Sequence, residues 1–282
     1  MDTNLNVRPS PIAGQWYPAD PHRLAREVDQ YIQSALPLDL PGEVVAVVAP
    51  HAGHRYSGPV AGYAFAALQG MGPELVAVIS PMHHYYREGL LTSAHNAYQT
   101  PLGRIPIDQE AVSDLDRRLQ AELGIGLTPV YNDPEHSLEI ELPFLQRALR
   151  ADFKLLPVMV RDQTTRVARA LGAALAKTLQ DRAAILVAST DLSHFYPQAV
   201  AEQLDAEILQ RVENFDPQGV MQAEDESKGF ACGKAALAAV LWAAKDLGAS
   251  EVKILRYATS GEVTGDFEQV VGYSAAAVIR RT

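Results

Sequence analysis

Three histidines stand at the carboxyl ends of short apolar runs, and that placement is the first chemical signal in the chain. Val44-Val45-Ala46-Val47-Val48-Ala49 leads into Pro50-His51-Ala52-Gly53-His54. Leu75 to Ser80 leads into Pro81-Met82-His83-His84, and Ala184 to Ser189 into Thr190-Asp191-Leu192-Ser193-His194. A fourth run, Leu155 to Val160, ends in Arg161-Asp162. Ligands of open α/β sheets bind in the crevice beyond the carboxyl ends of the strands, so His51, His83 and His194 converge there if these runs are neighbours. Neutral imidazole is a ligand for zinc, copper and iron, and a thiolate adds softness. Two histidines and one anionic ligand leave coordination positions open for oxygen-activating or hydrolytic chemistry. No local motif such as H-E-x-x-H accompanies them: His51 and His83 are far apart, and Cys232 lies well downstream.

Each residue also has a plainer reading. A single histidine is more often a hydrogen-bonded core or surface residue than a ligand, and His22 and His95 stay in that class. Adjacent side chains of an extended chain point apart, so His83 and His84 are not both expected to face the pocket. Cys232 alone reads as a small buried residue. Its setting, Phe230-Ala231-Cys232-Gly233 at an expected helix start, would favour a thiolate through the helix dipole. Pro134-Glu135-His136-Ser137-Leu138-Glu139 reads as a helix start with Ser137 as N-cap and Glu139 and Glu141 in the first turn. That leaves Glu135 and His136 unexplained, and both are expected on the pocket rim, hydrogen-bonding a ligand.

The elements that must position these residues follow from periodicity. Val44–Ala49, Leu75–Ser80, Leu155–Val160, Ala184–Ser189, Val252–Tyr257 and Val270–Ile279 read as parallel strands buried on both faces. Asp20-Pro21 reads as an N-cap and N1 proline, with Leu24, Val28, Tyr31, Ile32 and Ala35 on one helical face. Further helices are expected over 58–68, 108–123 with Gly124 beyond its end, 164–179, 199–212 and about 230–247. Thr92 to Gly103 and Tyr131 to Ser137 read as surface loops. Strands alternating with helices imply an α/β fold with a largely parallel central sheet flanked by helices, and no linker divides the 282 residues, so one domain is expected.

Composition bounds the partners. A net charge of −10 argues against nucleic acid and against docking on an anionic membrane. One cysteine rules out an intramolecular disulfide and suits a reducing compartment. Met1 to Pro11 carries no apolar stretch of a signal peptide, and no run approaches the roughly 20 apolar residues of a membrane span. A cytoplasmic location is the expectation.

The motifs taken together resemble the Memo family. They are Ala13-Gly14-Gln15-Trp16-Tyr17-Pro18, Ala49-Pro50-His51-Ala52-Gly53, Tyr56-Ser57-Gly58, Ser80-Pro81-Met82-His83-His84 and Thr100-Pro101-Leu102-Gly103. Glu135-His136-Ser137-Leu138-Glu139, Leu142-Pro143-Phe144, Ser189-Thr190-Asp191-Leu192-Ser193-His194 and Ala231-Cys232-Gly233 continue them in the family's order. Two positions depart from its usual pattern: Ser80 stands where glycine is common, and His54 where a bulky residue such as tyrosine is.

The resemblance implies the fold of class III extradiol dioxygenases. It puts metal ligands at His51, His83 and Cys232 and acid–base chemistry at His194, oriented by Asp191. Beside these, Trp16, His54, His84, Glu135 and His136 are the residues expected to bind substrate. A thiolate in place of the dioxygenases' carboxylate softens the site towards copper, zinc or thiolate-ligated iron and adds an oxidisable ligand. The leading expectation is a redox or oxygenase-like protein using Fe(II) or Cu, with Zn as a further option, on a small-molecule or peptide ligand. Radical-SAM system proteins, the AmmeMemoRadiSam association of bacterial members, are the implied partners. Two other readings remain: a non-catalytic binding protein using the same pocket, and a thiol hydrolase with Cys232 as nucleophile, His194 as base and Asp191 as orienter.

Overall fold

Runs of Val, Ile, Leu and Ala with almost no polar break can be satisfied only where both sheet faces are covered, and these runs form the centre of the sheet. The computed structural model describes residues 6–281. Residues 1–5, part of the N-terminal segment read above for a leader, and residue 282 lie outside them. In chain order the strands are β1 (Val7–Arg8), β2 (Gly42–Ala49), β3 (Leu75–Pro81), β4 (Leu90–Ser93), β5 (Ala97–Thr100) and β6 (Gly103–Pro106). They continue with β7 (Thr128–Val130), β8 (Lys154–Val160), β9 (Ala184–Ser189), β10 (His194–Tyr196), β11 (Glu251–Thr259) and β12 (Val270–Arg281). The α-helices are α1 (Pro21–Ser34), α2 (His54–Ala66), α3 (Gln109–Leu123), α4 (Leu142–Ala148) and α5 (Thr165–Leu179). After them come α6 (Gln198–Glu213), α7 (Pro217–Asp225), α8 (Lys234–Asp246) and α9 (Gly261–Thr264).

β2, β9, β3 and β8 lie side by side in that order and parallel, so their carboxyl ends share one edge. The flanks correct the expectation of parallel strands throughout. The segments Val252–Tyr257 and Val270–Ile279 lie in β11 and β12, and β12 runs antiparallel to both β11 and β2. The link between β11 and β12 holds only the one-turn α9, too short for the crossover that parallel strands need. β4 is also antiparallel, to β8. One apolar layer packs α3, α5 and α8 on one face, and a second packs α1, α2 and α4 on the other.

Local chemistry sets the helix ends. Asp20 accepts the Arg23 N–H at 2.7 Å with Pro21 at N1, and Leu24, Val28 and Ile32 are buried beneath. Asp108 caps α3 through the Ala111 N–H, and Gly124 ends it at φ +74°. α2 starts at His54, ahead of the expected Gly58, because the His54 N–H is taken up by the Trp16 carbonyl at 2.9 Å. The two expected surface loops are largely interior. Thr92, Ser93, Ala97, Tyr98 and Thr100 are buried in or beside β4 and β5, as are Asp133, Glu135 and Ser137 in the second segment, where only Tyr131, Asn132 and Pro134 are exposed. No helix among the described residues is long and apolar enough to cross a membrane.

Candidate metal centre

The ends of β2, β3 and β9 build the site. His51, just past β2, is fully buried, and its backbone N–H donates to Asp191 Oδ1 at 2.7 Å, tying β2 to β9. Its Nδ1 lies 2.9 Å from Ser189 Oγ. That hydroxyl also reaches the Ser137 carbonyl at 2.7 Å and Glu141 Oε1 at 2.8 Å. A hydroxyl donates one proton, and a carbonyl can only accept. Ser189 therefore donates to Ser137 and accepts from the His51 Nδ1–H, which leaves Nε2 of His51 bare. Glu141 completes the arrangement, since burial lifts its carboxyl well above the usual range and makes it a donor to the same oxygen.

Glu135 sets the other two rings. One oxygen lies 2.9 Å from His83 Nδ1 and 3.2 Å from His136 Nδ1, and the other accepts the His83 backbone N–H at 2.6 Å. The backbone N–H groups of His136 and Ser137 both donate to Oε1 at 3.0 Å. Burial would raise this carboxyl, yet the donors from His83, His136 and Ser137 hold it far below its ordinary range. An ionised Glu135 fixes a proton on His83 Nδ1 and leaves its Nε2 free, while His136 meets the same carboxylate through its backbone N–H.

One ring nitrogen from each of His51, His83 and His136 lies within 4.8 Å of the other two. His83 and His136 stack at 4.9 Å, and His51 meets them edge-on at 5.2 and 5.5 Å. Burial, reinforced by His83 and His136, lowers His51 well below its ordinary value. Burial also lowers His136 to about 4, against the opposing pull of Glu135. Metal ligands must be unprotonated, and both rings are so at neutral pH. Two metal–nitrogen bonds of about 2.0–2.1 Å span at most about 4.2 Å, so donors within 4.8 Å of one another could close on a transition-metal ion. His83, with 34% of its side chain accessible, marks the open side.

His136 thus stands inside the cluster rather than on the rim, and Glu135 lies buried beneath it. Ser137 is not an N-cap either: its hydroxyl donates to the Pro81 carbonyl at 2.7 Å, which seats the 135–137 segment against the end of β3. Cys232 sits beside the cluster, with Sγ 3.2 Å from His51 Nε2 and accepting the Asp191 N–H at 3.3 Å. Gly233 permits that approach, since a Cβ there would stand 2.6 Å from the Ser189 carbonyl oxygen. The expected thiolate is not found: burial and Asp191 push the thiol up, and α8 starts two residues later, at Lys234. Asp191 is itself lifted to about 7 by burial, opposed by the N–H donors of His51 and Ala52.

Trp16 packs tilted against His136, with ring centroids 4.0 Å apart, and walls one side. His84 is exposed, and His54 turns into the core between Tyr17 and Phe144, with Nε2 3.1 Å from the Ile140 carbonyl. His95 is buried, its ring nitrogens 3.2 Å from Ser93 and from Asn132. His194 lies between Phe195 and Phe230, each 5.8 Å away, with Nδ1 enclosed and unpartnered. Asp191 does not orient it. Asp191 is occupied by the His51 N–H, and Asp205 on α6 instead accepts the Ser193 N–H at 2.9 Å and fixes the backbone next to His194.

Sequence reasoning passed over a buried ion network beneath the site. Arg8, 1% accessible, binds both oxygens of Asp133 at 2.9 Å, the Glu135 carbonyl at 2.9 Å, and Glu139. Tyr17 donates to Glu139 at 2.6 Å. The available signal was an acidic cluster, Asp133, Glu135, Glu139 and Glu141, in one short stretch with no Lys or Arg.

A sequence model of the Memo-like protein family matches residues 8–277. A MEMO1 family protein of Methanopyrus kandleri is 38% identical over 280 residues, covering 96% of this chain and 98% of its own length. One of Nitrosopumilus maritimus is 33% identical over 276 residues, covering 95% and 98%. A solved structure of an uncharacterized protein from Escherichia coli K12 overlaps 83% of this chain and 99% of its own, with a TM-score of 0.49 and 14% identity.

Proposed function

This chain belongs to the Memo family, and on that premise we propose that its pocket is a redox-active transition-metal centre, holding Fe(II) or copper and acting on a small or peptide-borne substrate. One observation carries the reading: Ser189 and Glu135 hold Nδ1 of His51 and His83, and one ring nitrogen from each of His51, His83 and His136 lies within 4.8 Å of the other two. A histidine in a merely structural role has no need of that control. Iron or copper held there would supply one-electron redox chemistry and polarise an oxygen-bearing ligand.

The chain's own residues would do the rest. His51, His83 and His136 would hold the ion, with Cys232 beside His51 as a softer, oxidisable donor. Glu135 and Ser189 keep the rings in one tautomer and orientation. Trp16 excludes water on the His136 side. His194, its Nδ1 enclosed, would pass a proton to or from a ligand through Nε2.

The test is elemental analysis of protein purified without added metal, beside His51→Ala, His136→Ala and Cys232→Ser. The expected result is near-stoichiometric iron or copper in the parent and loss in both histidine variants. Metal retained in His51→Ala and His136→Ala would sink the assignment. Loss in Cys232→Ser with retention in His136→Ala would move the third ligand from His136 to the thiol.

A further inference from the structure

The sheet edge beyond His194 carries an apolar surface that the metal pocket does not use. Phe195, Tyr196, Val200, Val263 and Phe267 are all exposed, Phe195 to 69% and Phe267 to 50%. They sit on adjacent backbone segments. β10 pairs Tyr196 with Val270 of β12, and the Gln198 N–H donates to the Phe267 carbonyl at 2.9 Å. The Phe267 ring lies against Gly261, at the start of the helix that bears Val263. Scattered apolar side chains on a surface need no explanation, but a contiguous group does.

Backbone strain adds a second observation. Phe195 has φ +62°, in the left-handed region that bulky residues avoid at a cost of roughly 1 kcal/mol or more. It sits where the β10–β12 register breaks between His194 and Tyr196. The strained conformation gains no burial for the phenyl ring and turns it into solvent, right beside His194.

The surroundings are acidic. Glu262, Asp266 and Glu268 are exposed on the same segment as Val263 and Phe267, and Glu202 lies one turn along from Val200's end of α6. Arg256 is paired with Glu262 at 2.9 Å, and among the described residues Glu202, Asp266 and Glu268 form no ion pair. A second copy of this chain docking about a two-fold axis would bring these same acids face to face, in a molecule of net charge −10. A partner with basic residues around an apolar anchor meets both the patch and its rim.

We propose that the Phe195–Phe267 surface docks a basic polypeptide segment bearing a large apolar side chain, and so holds that segment beside the pocket mouth. The inference needs no metal in the pocket, so its failure and that of the metal assignment are distinguishable. The experiment selects a phage-displayed library of random peptides against the full chain, metal-free and metal-loaded, with binding of the enriched peptides then measured by calorimetry. Enriched sequences are expected to combine Lys or Arg with an aromatic or large aliphatic residue. Their affinity is expected to fall about ten-fold or more, about 1.4 kcal/mol, in both Val200→Asp and Glu268→Lys. Two surface variants at different elements guard against one failing to fold. No enrichment, enrichment of acidic or uncharged peptides, or unchanged binding in both variants overturns the proposal. Concentration-dependent dimerisation abolished by Val200→Asp overturns it in favour of a second copy.

Discussion

Replacing Arg8 by methionine tests whether the buried ion network beneath the pocket is what holds it together. The substitution keeps much of the stem of a residue 1% accessible but removes the guanidinium, which lies over the Tyr98 ring at 4.8 Å. Asp133, bound through both oxygens at 2.9 Å, then keeps a charge with no counter-ion, and the carbonyls of Asp133 and Glu135 lose donors at 3.0 and 2.9 Å. Breaking a buried pair by removing one partner typically costs about 3–5 kcal/mol. Against a total stability of about 5–15 kcal/mol that is a large share, and it corresponds to a fall in Tm of roughly 6–20 °C for a chain of this size. Urea denaturation of the metal-free protein followed by circular dichroism measures it.

The same variant makes a pH argument. Burial already raises Glu139 above its ordinary value, although Arg8, Ser10 and Tyr17 oppose it. Without Arg8 it rises further. A carboxyl raised in the folded state favours folding at acid pH and loses that contribution as pH rises through the folded value. The deficit of Arg8→Met is therefore smaller at pH 5 than at pH 8, and Glu139→Gln in the Arg8→Met background recovers part of it at pH 8. A loss under about 1 kcal/mol at pH 8, or a deficit independent of pH, would refute the reasoning.

Other substitutions probe the pocket directly. Glu135→Gln puts an amide where four N–H donors converge, and metal affinity should fall about 10- to 100-fold in a chelator competition. Gly233→Ala sets a methyl 2.6 Å from the Ser189 carbonyl, so a loss of about 1–3 kcal/mol in denaturation is expected, with Cys232 displaced from His51. Asp191, at about 7 when folded and 3.8 as a free side chain, loses stability as pH rises from about 4 to 7. His54 and His136, lowered to about 4 from 6.5, gain stability as pH rises from about 4 to 6.5. The opposing slopes partly cancel in the parent, so metal-free Asp191→Asn should lose stability more steeply than the parent on acidification from pH 6.5 to 4, and should be the more stable of the two at pH 8.

How far the site could be read from sequence depends on what kind of residue each member is. His51 and His83 were legible because runs such as Val44–Ala49 have to be central strands, and the ends of central parallel strands in an α/β sheet fall together. His194 instead lies outside the three-histidine cluster, between Phe195 and Phe230. β11 and β12 look the same by composition, and only the short link between them decides their direction. His136 and Glu135 were misplaced because Pro134-Glu135-His136-Ser137 carries every mark of a helix start on the surface, while the stretch is interior. What makes it interior is Arg8, more than a hundred residues away, and an ion pair at that range leaves no local pattern.

The same distance hides the division of labour in the pocket. Residue types alone nominate Glu135 as a rim group and Asp191 as the partner of His194. The geometry gives Glu135 to His83 Nδ1 and the His136 backbone N–H, and Asp191 to the backbone of His51. On the proposed function, these carboxylates would orient ligands rather than bind the ion. Imidazole ligands bring no negative charge to a divalent cation, and the nearest groups able to supply it would be Cys232, whose thiol burial pushes up, and Asp191, lifted to about 7. A cation placed beside them lowers both values. On the proposed function, the buried thiol next to His51 would become a thiolate and an oxidisable donor only with an ion held by the three histidines.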